Sequence, residues 1–227
     1  METKFHAMPS VFVMEHDVPA EMVTDLNLYL DNYLKQKKRK SLAGTLVGQI
    51  KKGQQLLMDH EDKKIVEFSN MLCGLGAHYI NEFSRATGAT YKTNKQVAMD
   101  ELWSVHSYER DYNPIHSHGT KTLMGISATM WTKVPQQILD QPTAGTSDYN
   151  LYNSSGHSDG CLAFQYGQGH VTDGETLKPA PSFVIRPEVG KLYLFPSWLQ
   201  HMVYPFQGKG ERRTVAANLN CWDVQAA

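Results

Sequence analysis

The chain has 227 residues, of which 41% are hydrophobic and 20% charged, as is usual for a globular domain. These values exclude a disordered or fibrous protein, and the length allows one substantial hydrophobic core. The formal net charge of −1 provides no overall basic field that would attract nucleic acid. The sequence contains no run of 18 apolar residues, so we expect neither a membrane span nor a nucleic-acid partner.

The cysteines Cys73, Cys161 and Cys221 lie far apart and form no CxxC pair. An odd number of isolated cysteines predicts neither a disulfide framework nor a thiolate zinc site. The first nine residues carry charges at Glu2 and Lys4 and lack the apolar segment of a secretion signal. We therefore expect a reducing, cytoplasmic location, which would be the host cytoplasm if the protein is viral.

Apolar residues recur at intervals of three and four in two segments of the N-terminal part of the chain. The first segment follows Asp17 and predicts an amphipathic helix to about residue 37, and the second predicts a helix over 62–85. The stretch 41–59 between them contains three glycines and is predicted to be loop with a short helix. We expect residues 1–90 to form a helical region that packs on a sheet.

After Gly88 the sequence consists of short runs rich in Trp, Tyr, Val, Thr and Ile, separated by turn residues. The runs predict seven β-strands, at 102–108, 122–132, 161–166, 183–186, 191–195, 201–205 and 212–220. Such a set suits a sandwich or jelly roll over residues 91–227, in a mainly β (α+β) fold that the N-terminal helices buttress as one compact unit. The polar stretch 136–160 is predicted to be a long surface excursion, either a functional lid or a plain disordered insertion.

The segment DYNPIHSHG contains the pair His116 and His118. Residues two apart on an extended strand point to the same side, so the two imidazoles converge. Neutral imidazoles suit a divalent metal such as iron, copper, nickel or zinc, and the pair predicts part of a metal site. The alternative is two polar histidines on a solvated strand face.

A third ligand is suggested where an apolar strand meets a Pro-Ser turn and re-enters the sheet at His201. After a glycine-containing turn, the pattern predicts that the chain closes a β-hairpin whose second strand carries Arg212, Thr214, Ala216 and Asn218 on one face. Arg212 can hold a carboxylate with two parallel hydrogen bonds, and Thr214 can add a hydroxyl, so this face is suited to a small dicarboxylate. The alternative is that Arg212 is an exposed charge on an edge strand.

Four pieces of the sequence, between about residues 40 and 220, resemble one enzyme family. They are SLAGTLVGQIKKGQQ, ELWSVHSYERDYNPIHSHG, LMGISATMW and PEVGKLYLFPSWLQHMVYPFQGKGERRTVAANLN. The chain resembles the 2-oxoglutarate- and iron(II)-dependent oxygenases, particularly a prolyl-hydroxylase-like branch of marine bacteria and phages. This resemblance implies that the jelly roll is a double-stranded β-helix.

The resemblance also implies the parts of an active site. His116, His118 and His201 would be the catalytic metal ligands that hold Fe(II), and Arg212 and Thr214 would bind 2-oxoglutarate. With O2 as the second cosubstrate, the implied reaction is hydroxylation of a peptide (prolyl-type) or small-molecule substrate, with release of succinate and CO2.

His118 departs from the family pattern, because most of the superfamily has a carboxylate at this position. Asp111, Asp159 or Asp173 therefore stays a candidate to complete the metal site. Three other functions are compatible with the sequence: a cupin-like three-histidine dioxygenase that does not use 2-oxoglutarate, a zinc hydrolase, and a non-catalytic β-sandwich interaction module. The sequence leaves the oligomeric state open.

Overall fold

The computed structural model describes residues 11–45, 48, 50, 54–89, 95–140, 158–167 and 182–223. Within these ranges, ten β-strands form two antiparallel sheets, and two long helices cover one face of the larger sheet. In the same ranges, every helix is too short or too polar to cross a membrane.

The elements follow one another in the order β1, α1, β2, α2, β3, β4, β5, α3 and β6 to β10, with a short 3-10 turn at Ala43–Thr45. The helices are α1 (Ala20–Lys35), α2 (Val66–Thr87) and α3 (Gln136–Leu139). The strands are β1 (Met14–Asp17), β2 (Gln54–Leu57), β3 (Lys95–Ser107), β4 (Asn113–His116), β5 (Ile126–Lys133), β6 (Leu162–Gln165), β7 (Ser182–Ile185), β8 (Lys191–Pro196), β9 (Gln200–Val203) and β10 (Arg212–Asp223).

The two long helices each bury one face against the larger sheet, whose strand order is β1-β8-β5-β10-β3-β2. Val23 and Leu26 of α1, and Phe68 and Leu72 of α2, are buried at the intervals of three and four that an amphipathic helix requires. The helix α2 ends at Gly88, whose φ of +69° is a left-handed conformation that glycine adopts without strain. The first core therefore lies between the helices and the sheet.

A second core lies between the larger sheet and the smaller one, whose strand order is β4-β9-β6-β7. Trp131 and Phe195 of the larger sheet are buried with Phe164 and Ile185 of the smaller sheet. Two antiparallel sheets that face each other across a shared core form a jelly roll, here the double-stranded β-helix. The predicted mainly β fold class is confirmed.

Strand β10 lies in the middle of the larger sheet, between β5 and β3. Its residues Val215 and Leu219 belong to the first core. The alternate residues Arg212, Thr214 and Ala216 line a cavity between the two sheets, because successive side chains of a strand point to opposite faces. One strand thus carries core residues on one side and candidate site residues on the other.

The predicted hairpin between His201 and Arg212 is wrong. Strand β9 pairs with β4 and β6 in the smaller sheet, whereas β10 pairs with β3 and β5 in the larger sheet. The segment 204–211 therefore crosses from one sheet to the other instead of closing a tight turn within one. The turn residues Gly208 and Gly210 both have positive φ, and glycines of this kind serve a crossing connection as well as a hairpin.

The N-terminal part differs from its prediction in detail. Asp17 ends β1 and forms an ion pair with Lys191, and α1 begins only at Ala20. The stretch 41–59, predicted to be loop with a short helix, contains the 3-10 turn Ala43–Thr45 and also β2 at the edge of the larger sheet. The division into a helical region 1–90 and a core 91–227 stays a prediction, and β1 and β2 show that the first region also supplies strands. Most of the predicted excursion 136–160 lies outside the described residues, apart from α3 and residues 158–160.

Candidate metal centre

The three predicted histidines lie together at the mouth of the space between the sheets. His116 ends β4 and is directly opposite His201 of β9, with 4.3 Å between the ring centroids. The ring of His118 lies 5.3 Å from that of His116 and 4.9 Å from that of His201. The candidate ligand nitrogens of the three residues all lie within 4.8 Å of one another, so one metal ion can reach all three.

His118 reaches this cluster by a different route from the predicted one. Strand β4 ends at His116, and His118 lies in the following loop, so strand alternation does not orient it. Its backbone N–H donates to the carbonyl oxygen of Ser197 at 2.9 Å. This hydrogen bond joins the loop of His118 to the turn that precedes His201.

The hydrogen bonds of the rings indicate which nitrogen of each histidine faces the centre. Nδ1 of His116 and of His201 lies 2.7 Å and 3.0 Å from the backbone oxygens of Pro114 and Leu199. Nδ1 of His118 lies 2.9 Å from Oδ1 of Asn218. Each Nδ1 therefore carries the hydrogen and donates it, which leaves the Nε2 lone pair for a metal.

Two polar side chains that sequence reasoning missed, Ser127 and Asn113, contact the histidines or their partners. Ser127 donates to Oδ1 of Asn218 at 2.8 Å and thereby fixes the acceptor that orients His118. Nδ2 of Asn113 lies 3.2 Å from Nε2 of His116, so Asn113 occupies the lone pair of that nitrogen and would have to move away when a metal binds there. Strand alternation places Asn218 on the site face, but only the folded structure brings it next to His118. A register irregularity between Asn113 and His116 removes any periodic signal for Asn113.

The three imidazoles are neutral at physiological pH. Burial lowers the pKa of His116 and of His118, and burial together with the nearby His116 lowers the pKa of His201 to about 3. A histidine must lose its proton before it can bind a metal. The folded protein therefore presents these ligands without a proton to displace.

Asp111 and Asp159, the two described carboxylates considered for the metal site, do not join the cluster. Among the described residues, the group of side chains that could hold a metal consists of the three histidines alone. Asp111 is buried, and its Oδ2 accepts a hydrogen bond from the backbone N–H of Tyr108. Asp159 is also buried, near the start of β6, and Asp173 lies outside the described residues.

Arg212 is a buried guanidinium, and only 2% of its surface is exposed. Its Nη1 donates to the backbone oxygens of Gly160 at 3.0 Å and Tyr204 at 2.9 Å, while its Nε has no hydrogen-bond partner among the described residues. Burial lowers its pKa to about 10, so it is charged at neutral pH. A buried charge costs several kcal/mol unless an opposite charge accompanies it, on the order of the penalties measured for unpaired ions. The alternative that Arg212 is an exposed charge on an edge strand is wrong, because Arg212 is buried and β10 lies in the middle of the larger sheet.

A single cavity connects the histidines to Arg212. Its wall on the larger sheet includes Thr214 and Ala216, which follow Arg212 on the same face of β10. Its other described lining residues are Ile50, Trp103, Val105, Ser107, Tyr112, Asn113, His116, His118, Ala128, Thr129, Leu162, Phe195, His201 and Val203. The cavity thus combines a candidate metal site, a buried cation and a largely apolar wall.

The comparison with protein families identifies this arrangement. The model of the 2OG-Fe(II) oxygenases matches residues 101–218, which is more than half of the chain and includes the three histidines, Arg212 and Thr214. The chain belongs to this family. It is therefore an iron(II)- and 2-oxoglutarate-dependent dioxygenase, as the sequence resemblance implied. A comparison with curated proteins finds no match.

Solved structures of other oxygenases have the same fold. A prolyl-4-hydroxylase from Pseudomonas putida is similar with a TM-score of 0.54, at 13% identity over 92% of this chain and 91% of that one. HygX from Streptomyces hygroscopicus, with nickel and 2-oxoglutarate bound, has a TM-score of 0.54 at 8% identity, over 92% and 82%. A prolyl hydroxylase from Trichoplax adhaerens, in complex with a hypoxia inducible factor peptide, has a TM-score of 0.51 at 12% identity, over 94% and 83%.

The cofactors of the 2OG-Fe(II) oxygenases fit the residues of this chain. Three neutral imidazoles in a cluster suit a divalent first-row metal such as iron. The buried guanidinium of Arg212, with a free Nε, suits the distal carboxylate of 2-oxoglutarate. The histidine cluster and Arg212 line one cavity. A single molecule of 2-oxoglutarate could therefore bind the metal at one end and Arg212 at the other.

Proposed function

We propose that His116, His118 and His201 are the Fe(II) ligands of this oxygenase and that Arg212 and Thr214 bind 2-oxoglutarate. The observation that carries this proposal is the cavity that a cluster of three neutral histidines shares with a buried arginine whose Nε has no hydrogen-bond partner among the described residues. When bound, Fe(II) and 2-oxoglutarate supply the oxidising chemistry with O2. The reaction we propose is hydroxylation, with release of succinate and CO2.

The protein residues have three tasks in this proposal. The Nδ1 hydrogen bonds of the histidines keep each Nε2 directed at the centre. The imidazole rings therefore need not rotate when the metal binds. Arg212 binds and orients the distal carboxylate, and the hydroxyl of Thr214 adds a second donor on the same face. The apolar walls around Leu162 and Val203 exclude water from the reacting groups.

The proposed substrate is a peptide of prolyl type or a small molecule. The Pseudomonas and Trichoplax proteins of similar fold are named as prolyl hydroxylases, and the latter holds a peptide, which supports the peptide alternative. A cytoplasmic location belongs to the same proposal, because an iron(II) site and three free cysteines suit a reducing compartment. An origin in a phage stays a prediction.

An anaerobic titration tests the ligand assignment. Metal-free protein is titrated with Fe(II) and then with 2-oxoglutarate, and the visible charge-transfer band of the chelate is recorded. We expect the band in the wild type, its loss in His201→Ala, and its retention in His78→Ala, which removes an exposed histidine of α2. A band of equal intensity in His201→Ala would remove this residue from the ligand set, and its absence from the wild type would refute the proposal.

A further inference from the structure

Two arginines follow one another at the start of β10, and both are buried, on opposite faces of the larger sheet. Arg212 lines the cavity, whereas Arg213 forms hydrogen bonds to Asn27 and Asp31 of the helix α1, which covers the other face. Only 2% of Arg212 and 1% of Arg213 is exposed. Because the two residues share a peptide bond, the contacts that hold Arg213 also fix the point from which the side chain of Arg212 extends.

The sheet by itself holds Arg212 on one side only. Arg212 is the first residue of β10, and it pairs with Ser107 of β3. The pairing of β10 with β5 begins one residue later, where Arg213 is opposite Lys133. Because the ends of an element open most easily, the direction of Arg212 depends on what anchors the residue that follows it.

The guanidinium of Arg213 is anchored to a neighbour in the chain and to the helix α1. Its Nε and Nη2 donate to the two carboxylate oxygens of Glu211, at 2.8 and 3.0 Å. Its Nη1 donates to Oδ1 of Asn27 at 3.1 Å, and its Nη2 donates to Oδ1 of Asp31 at 2.7 Å. Paired hydrogen bonds to a carboxylate fix the plane of a guanidinium. The helix α1 is therefore tied to the start of β10 in a defined geometry.

Asn27 also holds an irregularity of the sheet next to Arg213. Thr132 of β5 is an extra residue between the pairs that Arg213 and Thr214 form with this strand, as in a β-bulge. The extra residue of a bulge has no regular partner in the ladder, and here Nδ2 of Asn27 donates to the carbonyl oxygen of Thr132 at 2.9 Å. Bulges change the direction of the side chains beside them. A single amide thus holds both the bulge and Arg213.

Stability alone explains these polar contacts poorly. The next residues on the same face of β10, Val215 and Ala217, belong to the first core. A well-packed apolar residue is usually at least as stabilising as a buried ion pair, so an apolar side chain would serve the core at this position. Hydrogen bonds add direction, because each requires a defined distance and angle. Arg213 therefore determines the orientation of the strand more strictly than an apolar contact would.

Resting on the proposed function, we infer that Asn27 and Arg213 are positioning residues for the recognition of 2-oxoglutarate. They hold the start of β10 and the bulge beside it, and they thereby direct the guanidinium of Arg212 at the distal carboxylate. Neither residue is among the described residues that line the cavity, so their effect reaches the cosubstrate through Arg212. A helix on the far side of the larger sheet thus contributes to the cosubstrate site.

The variant Asn27→Leu tests this role, because it removes the amide and keeps a side chain of similar size and good helix propensity. Calorimetry on the anaerobic Fe(II) protein compares 2-oxoglutarate with 2-oxopentanoate, which has a methyl group in place of the distal carboxylate. We expect the preference for 2-oxoglutarate to fall about fivefold, the equivalent of one hydrogen bond. The affinities for 2-oxopentanoate and Fe(II) should stay within about twofold of the wild type.

A second variant and a matched control separate positioning from a loss of stability. Arg213→Lys, which keeps the charge and loses the planar fork, should reduce the preference as Asn27→Leu does. Val23→Ala removes an apolar contact of the same helix, so it should lower the melting temperature and leave the preference at the wild-type value. A wild-type preference in either Asn27→Leu or Arg213→Lys overturns the inference. An equal decrease in Val23→Ala overturns it as well, because helix packing alone would then account for the effect.

The same change in the Arg212→Met background shows whether Asn27 acts through Arg212. Effects of coupled residues are not additive, so Asn27→Leu should leave the remaining preference of Arg212→Met unchanged, and a further decrease of about fivefold would contradict the inference. The proposed function is judged separately. It fails if the wild type has no charge-transfer band or if Arg212→Met keeps the full preference, whereas an effect missing from Asn27→Leu alone refutes only the positioning role.

Discussion

Replacement of Arg212 by methionine should separate cosubstrate binding from metal binding. The guanidinium is buried and charged, so the proposed hydrogen bonds to the distal carboxylate of 2-oxoglutarate would be neither screened by solvent nor replaced by water. Loss of two charge-assisted hydrogen bonds costs about 3 kcal/mol, which corresponds to roughly 100-fold weaker binding of 2-oxoglutarate. The affinity for Fe(II) should stay within about threefold of the wild type, a difference of under about 1 kcal/mol. The reason is that Arg212 does not contact the histidines.

A ligand without the distal carboxylate tests whether Arg212 recognises that carboxylate. The compound 2-oxopentanoate keeps the metal-chelating end of 2-oxoglutarate and has a methyl group in place of the distal carboxylate. Calorimetry on the anaerobic Fe(II) protein should show a preference of about 100-fold for 2-oxoglutarate in the wild type and only a few-fold preference in Arg212→Met. Arg212→Lys, which keeps the charge and loses the planar fork, should lie between them. An unchanged ratio in Arg212→Met would refute this role of Arg212.

Three further predictions concern residues around the site. Asn218→Leu should weaken metal binding about 10- to 100-fold, because His118 loses the acceptor that orients it, and competition with a chelator measures this affinity. Ala216→Leu should prevent binding of 2-oxoglutarate but not of Fe(II), because Ala216 faces the cavity on the same strand as Arg212; a charge-transfer band in this variant would contradict the placement. Hydrogen bonds from His106 and Arg213 lower the pKa of Glu211 to about 2 against the opposing effect of burial, so it stabilises the fold above pH 4.5 and loses this contribution as the pH falls towards 2. Unfolding by urea at pH 6 and pH 3 should therefore show a decrease in stability that is smaller in Glu211→Gln, by about 2 kcal/mol at most.

The sequence predicted the long elements, and the meeting of the candidate site residues in one cavity, more accurately than the connections between the elements. Both long helices and the strands that contain Met130 and Val215 were predicted within about four residues, because burial imposes a regular apolar pattern on them. The strand that contains Leu102 begins at Lys95, seven residues before its predicted start at 102. The strands β1, β2 and β4 were not predicted. Each has four residues, as do the predicted β6, β7 and β9, but they contain few of the β-branched and aromatic residues that are typical of strands. They lie at the ends of their sheets, where one side of the strand has no neighbour.

The predicted hairpin was wrong for a physical reason that local sequence cannot reveal. A glycine-rich turn at 207–210 permits several directions of the chain, and the choice depends on which sheet offers a partner to β10. The partners are β3 and β5, which lie about a hundred residues earlier in the chain. Convergence of His201 and Arg212 on one cavity was nevertheless predicted from chemistry, because the prediction depended on which residues face inward rather than on the pairing itself.

The alternation of β10 fixes the composition of the cavity through the demands of the hydrophobic core. A shift of its register by one residue would expose the apolar series Val215, Ala217 and Leu219 to the cavity and press Thr214 and Asn218 into the helix-covered core. Since Arg213 follows Arg212, the shifted strand would still offer a guanidinium to the cavity, but it would lose the hydroxyl and the amide. The register that buries the apolar residues of β10 is therefore the same register that places Thr214 and Asn218 in the cavity. A chain that pairs this strand in the wrong register loses both the stability of the core and the composition of the site.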